Sequence, residues 1–212
     1  PSNRHGVDAV AGQFPFKLLE DILREKPMKA MTKGVVIAHC NATIANGVPR
    51  YVILLVWGSS SIPLVVWRDQ VPGAAHIAAE CMDKVICVDK VKYTEFKGEP
   101  QLEIMKDTRL VISTEEPTSI NFPWMHFTKL PEVDDYQRVH LCATISDAGD
   151  ATATQSGDLR LCLRLKDYLN NMIDVVAWRQ LADASLWVPG SKVEIFFGQF
   201  NRERQCVEVS NE

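Results

Sequence analysis

An internal repeat constrains this chain more than any other feature. The tetrad Val65-Val66-Trp67-Arg68 returns as Val176-Ala177-Trp178-Arg179. Around it, Lys84-Val85 returns as Lys192-Val193, and Leu102-Glu103-Ile104 as Val207-Glu208-Val209. Phe96 and Gln101 recur with the same spacing as Phe200 and Gln205. One architecture must therefore satisfy both halves of the 212 residues, a length that suits two domains of about 100 residues each.

The order of elements says which architecture. Residues 1–15 are punctuated by Gly and Pro and read as a flexible segment. Apolar residues at helical spacing over 16–23, stopping before Pro27, predict a short helix. Strand-rich runs follow at 34–43, 51–57 and 62–67, the first two parted by the turn signal Asn46-Gly47. An Ala-rich helix is predicted over 74–81. A hairpin of 84–93 with 101–106 then turns through Lys97-Gly98-Glu99-Pro100, and 109–112 extends it. The second half reads as a strand at 138–146, a polar loop at 147–158, strands at 159–166 and 172–178, a short helix at 181–187, and strands at 192–197 and 206–209. Three strands, a helix and two strands, twice over, is the order of the OB-fold, a five-stranded barrel. The expected fold class is thus all-β with short helices: OB-fold 1 over 16–112, a Thr-, Ser-, Pro- and acid-rich linker over 113–135, and OB-fold 2 over 136–212.

An OB barrel takes its ligand across strands two and three, between the loop joining strands one and two and the loop joining strands four and five. Trp67 and Trp178 end their third strands. Two roles fit them, a base-stacking platform or a plug for the barrel core. Phe96 and Phe200 lie at the final hairpins beside Lys, Gly, Glu, Asn or Arg, which predicts exposure and stacking. Residues 159–166 alternate strictly, so the leucines face the core and Arg160, Arg164 and Lys166 face outward as a basic stripe. Arg179, Arg202 and Arg204 are expected to extend it. In the first half the candidates are Arg50, Arg68, Lys92 and Lys97. Strand two there is apolar on both faces apart from Tyr51, so its outer face is either covered or an interface.

Charge runs against a general nucleic-acid binder, because phosphate neutralisation supplies much of such affinity. The net charge is -4; residues 1–112 hold 14 Lys and Arg against 12 Asp and Glu, while 113–212 hold 9 against 15. Electropositivity must therefore be local. Six single cysteines lack metal-ligand spacing and fit a reduced, intracellular protein. The five histidines are scattered, and neither a phosphate-cradling Gly loop nor a nucleophile motif occurs, so no enzyme activity, metal or cofactor is expected. No apolar run reaches membrane-spanning length. The start, Pro1-Ser2-Asn3, reads as that of a fragment or processed chain, with targeting signals missing rather than absent.

A helix leading into the first strand, a V-V/A-W-R end to each third strand, and the hairpins E-F-K-G-E-P-Q-L-E-I and Q-F-N-R-E-R-Q-C-V-E-V together resemble the tandem DNA-binding OB domains of the replication protein A large subunit. Relatives of that family include the meiosis-specific OB-domain protein, the OB subunit of shieldin and telomere end-binding proteins. The resemblance implies a nuclear module that binds single-stranded DNA in replication, repair, recombination or telomere maintenance. It assigns stacking to Trp67, Phe96, Trp178 and Phe200, and it implies protein partners in a genome-maintenance complex. RNA would use the same surfaces. The acidic second half and the apolar outer strand of the first barrel depart from the family pattern. They favour the alternative of an OB-fold scaffold for protein contacts with little nucleic-acid binding of its own.

Overall fold

The computed structural model describes residues 14–43, 48–117, 119–134 and 137–210, so the turn signal Asn46-Gly47 and most of the 1–15 segment lie outside the described residues. The chain divides into two compact units, Pro1–Phe122 and Pro123–Glu212. Each is a five-stranded OB barrel.

The first unit opens with α1 (Leu19–Glu25), which starts later than its apolar spacing suggests. The reason lies in the backbone just before it. Met31 N–H donates to the Pro15 carbonyl at 3.0 Å, and Lys17 N–H to the Met31 carbonyl at 2.9 Å, so residues 15–17 run extended and are withheld from the helix. Lys26 closes α1 in the left-handed conformation at φ 50°, donating its N–H to Ile22, and Pro27 prevents continuation.

Strands β1 (Ala30–Thr43), β2 (Pro49–Trp57) and β3 (Ser60–Trp67) form an antiparallel meander. Next come α2 (Val71–Glu80), β4 (Val85–Phe96), β5 (Glu99–Ile104) and β6 (Leu110–Ile112). The ring β1-β2-β3-β5-β4 closes through a β1–β4 pairing, with β6 added to β4. Closure removes the unpaired edges that an open sheet would leave. Leu19 and Ile22 of α1 and Ala74 and Ala78 of α2 are buried in a core built on Ile53, Leu55, Leu64 and Leu102. On β2 both alternating sets are buried, Ile53 and Leu55 on one side and Val52, Leu54 and Val56 on the other. The outer face of this strand is therefore covered.

The second unit repeats the ring with β7 (Arg138–Ala148), β9 (Leu159–Lys166), β10 (Met172–Trp178), β11 (Lys192–Asn201) and β12 (Cys206–Val209). The two-residue β8 (Thr152–Ala153) pairs with β9 inside the loop expected to be irregular. Leu161, Leu163 and Leu165 are buried with Leu141, Val175 and Val207. The helix expected over 181–187 is instead two 3-10 turns, Arg179–Ala182 and Ala184–Leu186. Asp183 stands between them in extended conformation, its carboxylate accepting from Ser185 N–H at 2.9 Å. That local bond competes with helix propagation in a segment too short to nucleate well.

The stretch read as a linker is divided between the units. Ser113 N–H bonds the Val85 carbonyl at 2.9 Å and Asn121 N–H the Gly58 carbonyl at 3.1 Å. Phe127, Leu130 and Val133 lie in the second core. All six cysteines are free thiols.

Candidate nucleic-acid interface

Pairing registers fix which side chains share a face. In the first barrel Leu64 pairs with Leu102 and Val65 with Glu103. In the second, Val175 pairs with Val207 and Val176 with Glu208. Superposing the barrels on these pairs brings Trp67 onto Trp178 and Arg68 onto Arg179. Both arginines turn their backbone left-handed, at φ 53° and 54°. The same register brings Arg50, the Cα partner of Trp67, onto Arg160, the Cα partner of Trp178.

In the first barrel these residues converge on an aromatic corner. The β4–β5 hairpin turns in two residues, Lys97 and Gly98, both with positive φ. This is the primed geometry that matches strand twist, and the spacing of Phe96 and Glu99 as Cα partners follows from it. Phe96 is 45% exposed, Trp67 half-buried. The Arg50 guanidinium carbon is 5.5 Å from the Trp67 ring centroid and 5.6 Å from that of Phe96, and Lys97 Nζ is 5.6 Å from Phe96. Gln101, only 5% exposed, accepts from Arg50 Nη2 at 3.3 Å and donates to Glu103 at 3.1 Å. Glu103 is ion-paired with Lys92 at 2.8 Å. Arg68 is exposed and has no ion-pair partner among the described residues. Gln101 and Glu103 were not singled out by the sequence reading. The signal was available, since their positions beside Leu102 put them on the outward set of β5.

Phe200 overturns one expectation. It is 3% exposed and belongs to the second core. The Phe-to-Gln spacing is equal in both halves, but the β11–β12 hairpin turns through four residues between the partners Asn201 and Cys206. Phe200 therefore pairs with Val207, as buried Tyr93 pairs with Leu102 in the first barrel. Side chains alternate with period two, and this shift turns Phe200 inward.

The second barrel keeps the outward stripe but neutralises it. Arg160 and Arg164 are exposed, Lys166 half-buried. With Cys162, Asp174, Arg204 and Cys206 they line a shallow concavity of about 440 Å³. Arg164 makes a forked contact with Asp174, Nε to Oδ1 at 2.8 Å and Nη2 to Oδ2 at 3.4 Å. That carboxylate raises the already high pKa of Arg164. Arg179 meets Asp158 at 3.3 Å, and Arg204 meets Glu208 at 3.7 Å. Arg202 turns back onto the Val133 carbonyl, at 2.9 Å from Nε and 2.6 Å from Nη2. Arg160 is without an ion-pair partner among the described residues. Trp178 is half-buried and has no aromatic of the second hairpin on its surface comparable to Phe96.

No family model matches the sequence, and no curated protein matches it. Solved structures do. The HINa domain of Ifi202, in complex with a 20-base-pair duplex DNA, is 12% identical, over 86% of this chain and 92% of that one, with a TM-score of 0.52. The p202 HIN1 domain, in complex with a 12-mer duplex, is 14% identical, over 86% and 89%, with a TM-score of 0.52. The likeness is one of fold. A replication protein A heterotrimer bound to single-stranded DNA matches at 13% identity over 74% of this chain and 40% of that one, with a TM-score of 0.46. Both units of this chain are OB barrels, as the repeated order of elements predicted.

Proposed function

We propose that this chain binds single-stranded DNA, chiefly through the first barrel, by stacking bases on Trp67 and Phe96 with Lys97 and Arg68 available to the phosphates. One observation carries the reading: a half-buried Trp and an exposed Phe stand on either side of an arginine at the place where an OB barrel receives its ligand. Base faces are free to stack only where strands are unpaired, so the corner selects single strands over duplex. RNA presents the same faces and is the natural competitor. Two structures that share the fold were solved on duplex DNA, which makes duplex the second competitor. Together with the resemblance of the repeated motifs to replication protein A, this places the proposed role in the nucleus, in DNA replication, repair, recombination or telomere maintenance.

Fluorescence titration with oligo-dT, oligo-rU and a duplex of equal length tests it. Tight binding of dT, with weaker binding of duplex, is the expected result. Trp67→Ala and Phe96→Ala should each weaken dT binding by about 1–3 kcal/mol. Equal affinity for duplex and dT, unaffected by either substitution, would refute the stacking assignment.

A second reading belongs to the second barrel. Three of its outward arginines sit on carboxylates and a fourth mainly on a backbone carbonyl. A face of alternating paired charges suits a protein partner better than a run of phosphates. If charge reversal of Arg160 and Arg164 leaves dT affinity intact but abolishes a partner complex, the second barrel is the scaffold of the pair.

A further inference from the structure

We propose that Arg50 is a stacking element and not a phosphate contact: its guanidinium plane is held between Trp67 and Phe96 as the middle tier of the base platform, with Gln101 as its positioning residue. The inference rests on the reading of the first barrel as a stacking surface.

Three observations carry it. First, the β2–β3 register makes Arg50 the Cα partner of Trp67, and the hairpin brings Phe96 to its other side. A guanidinium is flat, delocalised and weakly hydrated, so it stacks on aromatic faces as an ammonium does not. Second, the group is held in place. Gln101, almost wholly buried, accepts from Nη2, and its own amide is oriented by Glu103, which Lys92 fixes in turn. A charge meant to follow a mobile phosphate chain gains nothing from such a relay, whereas a plane that must meet a base in one orientation does.

Third, the repeat supplies an internal control. Arg160 occupies the equivalent place beside Trp178. There Phe200 is in the core, and Cys206 stands where Gln101 stands in the first barrel. With neither the second ring nor the acceptor present, Arg160 is exposed. The same strand position is thus an ordered plane in one barrel and a surface charge in the other. Bare guanidinium planes serve as platforms for unstacked bases, and here the protein pre-assembles one between two rings.

The test separates plane from charge. Oligo-dT binding is measured over a salt series for the wild-type chain, Arg50→Lys, Arg50→Ala and Gln101→Leu, alongside Trp67→Ala and Phe96→Ala. Arg50→Lys keeps the charge and loses the plane, and Gln101→Leu changes no charge. Expected are losses of about five- to tenfold for both Arg50 variants and a smaller loss for Gln101→Leu, with the slope of log K against log salt unchanged in all three. Wild-type affinity in Arg50→Lys, or a fall of about 0.7 in the slope for Arg50→Ala, the value for one lost phosphate contact on a single strand, would overturn the assignment. If Trp67→Ala and Phe96→Ala weaken binding while Arg50→Lys is silent, only the role of Arg50 fails. If the two aromatic substitutions are silent as well, the stacking reading fails with it.

Discussion

Phe96 and Phe200 show how far a single residue can be misread from its neighbours in sequence. Both adjoin charged turn residues, yet one is exposed and the other is among the most buried aromatics of its barrel. Their substitution should separate cleanly. Phe96→Ala is expected to lower affinity for oligo-dT while leaving the urea midpoint within about 0.5 kcal/mol of the wild type. Phe200→Ala should cost about 3–5 kcal/mol of stability by leaving a core cavity, read in the same denaturation series. His140 offers a different check. Burial among Phe196 and Phe197 drives its pKa down to about 4, and its Nδ1 accepts the Phe197 N–H at 3.2 Å, so the ring is neutral when folded. The unfolded chain takes up this proton near the ordinary value of 6.5, and the folded one only near 4. Stability from this site is therefore full above the unfolded pKa and is lost as pH falls, by about 2 kcal/mol at roughly pH 5. Urea midpoints measured from neutral pH downward should fall in step, and His140→Gln should flatten that part of the profile.

Strands were the most legible elements. Strict alternation over β9 gave its buried leucines and outward arginines, because a period of two leaves only one arrangement with a single core. Turn lengths were less legible, and they decided the register. Two residues close the β4–β5 hairpin and four close β11–β12. The β11 strand carries a further irregularity that sequence did not announce. Its pairing with β7 slips between Ile195 and Gly198, and Phe197 adopts φ 60°, unusual for an aromatic residue. Gly198 follows at a point of close contact: a Cβ there would lie 2.8 Å from Val207 Cγ1 and 3.3 Å from Val139 Cγ2. Both valines are fully buried and have nowhere to move. Gly198→Ala should therefore destabilise the chain by about 1–3 kcal/mol in thermal or urea unfolding, whereas Gly98→Ala would act only through its turn conformation.

At the scale of the whole molecule, the net charge of -4 and the stacking corner make a joint prediction. If few phosphates are neutralised and stacking carries the affinity, the salt slope for oligo-dT should be shallow, corresponding to about two to four phosphate contacts, and binding should persist at moderate salt. A slope matching eight or more contacts would assign affinity to the basic stripe of the second barrel and contradict its pairing with Asp174, Asp158 and Glu208. The sequence by itself determined that there are two barrels, where their strands lie, which face of β9 is outward, and that Trp67 and Trp178 occupy equivalent places. Those features depend on order and periodicity, which are local. Tertiary structure alone decided that Phe200 is core, that most arginines of the second barrel are paired, and that Arg50 lies between Trp67 and Phe96 on Gln101. Each of these depends on which residue of one strand faces which residue of another. That register is set by turn length and by closure of the barrel, and neither is a property of any single segment.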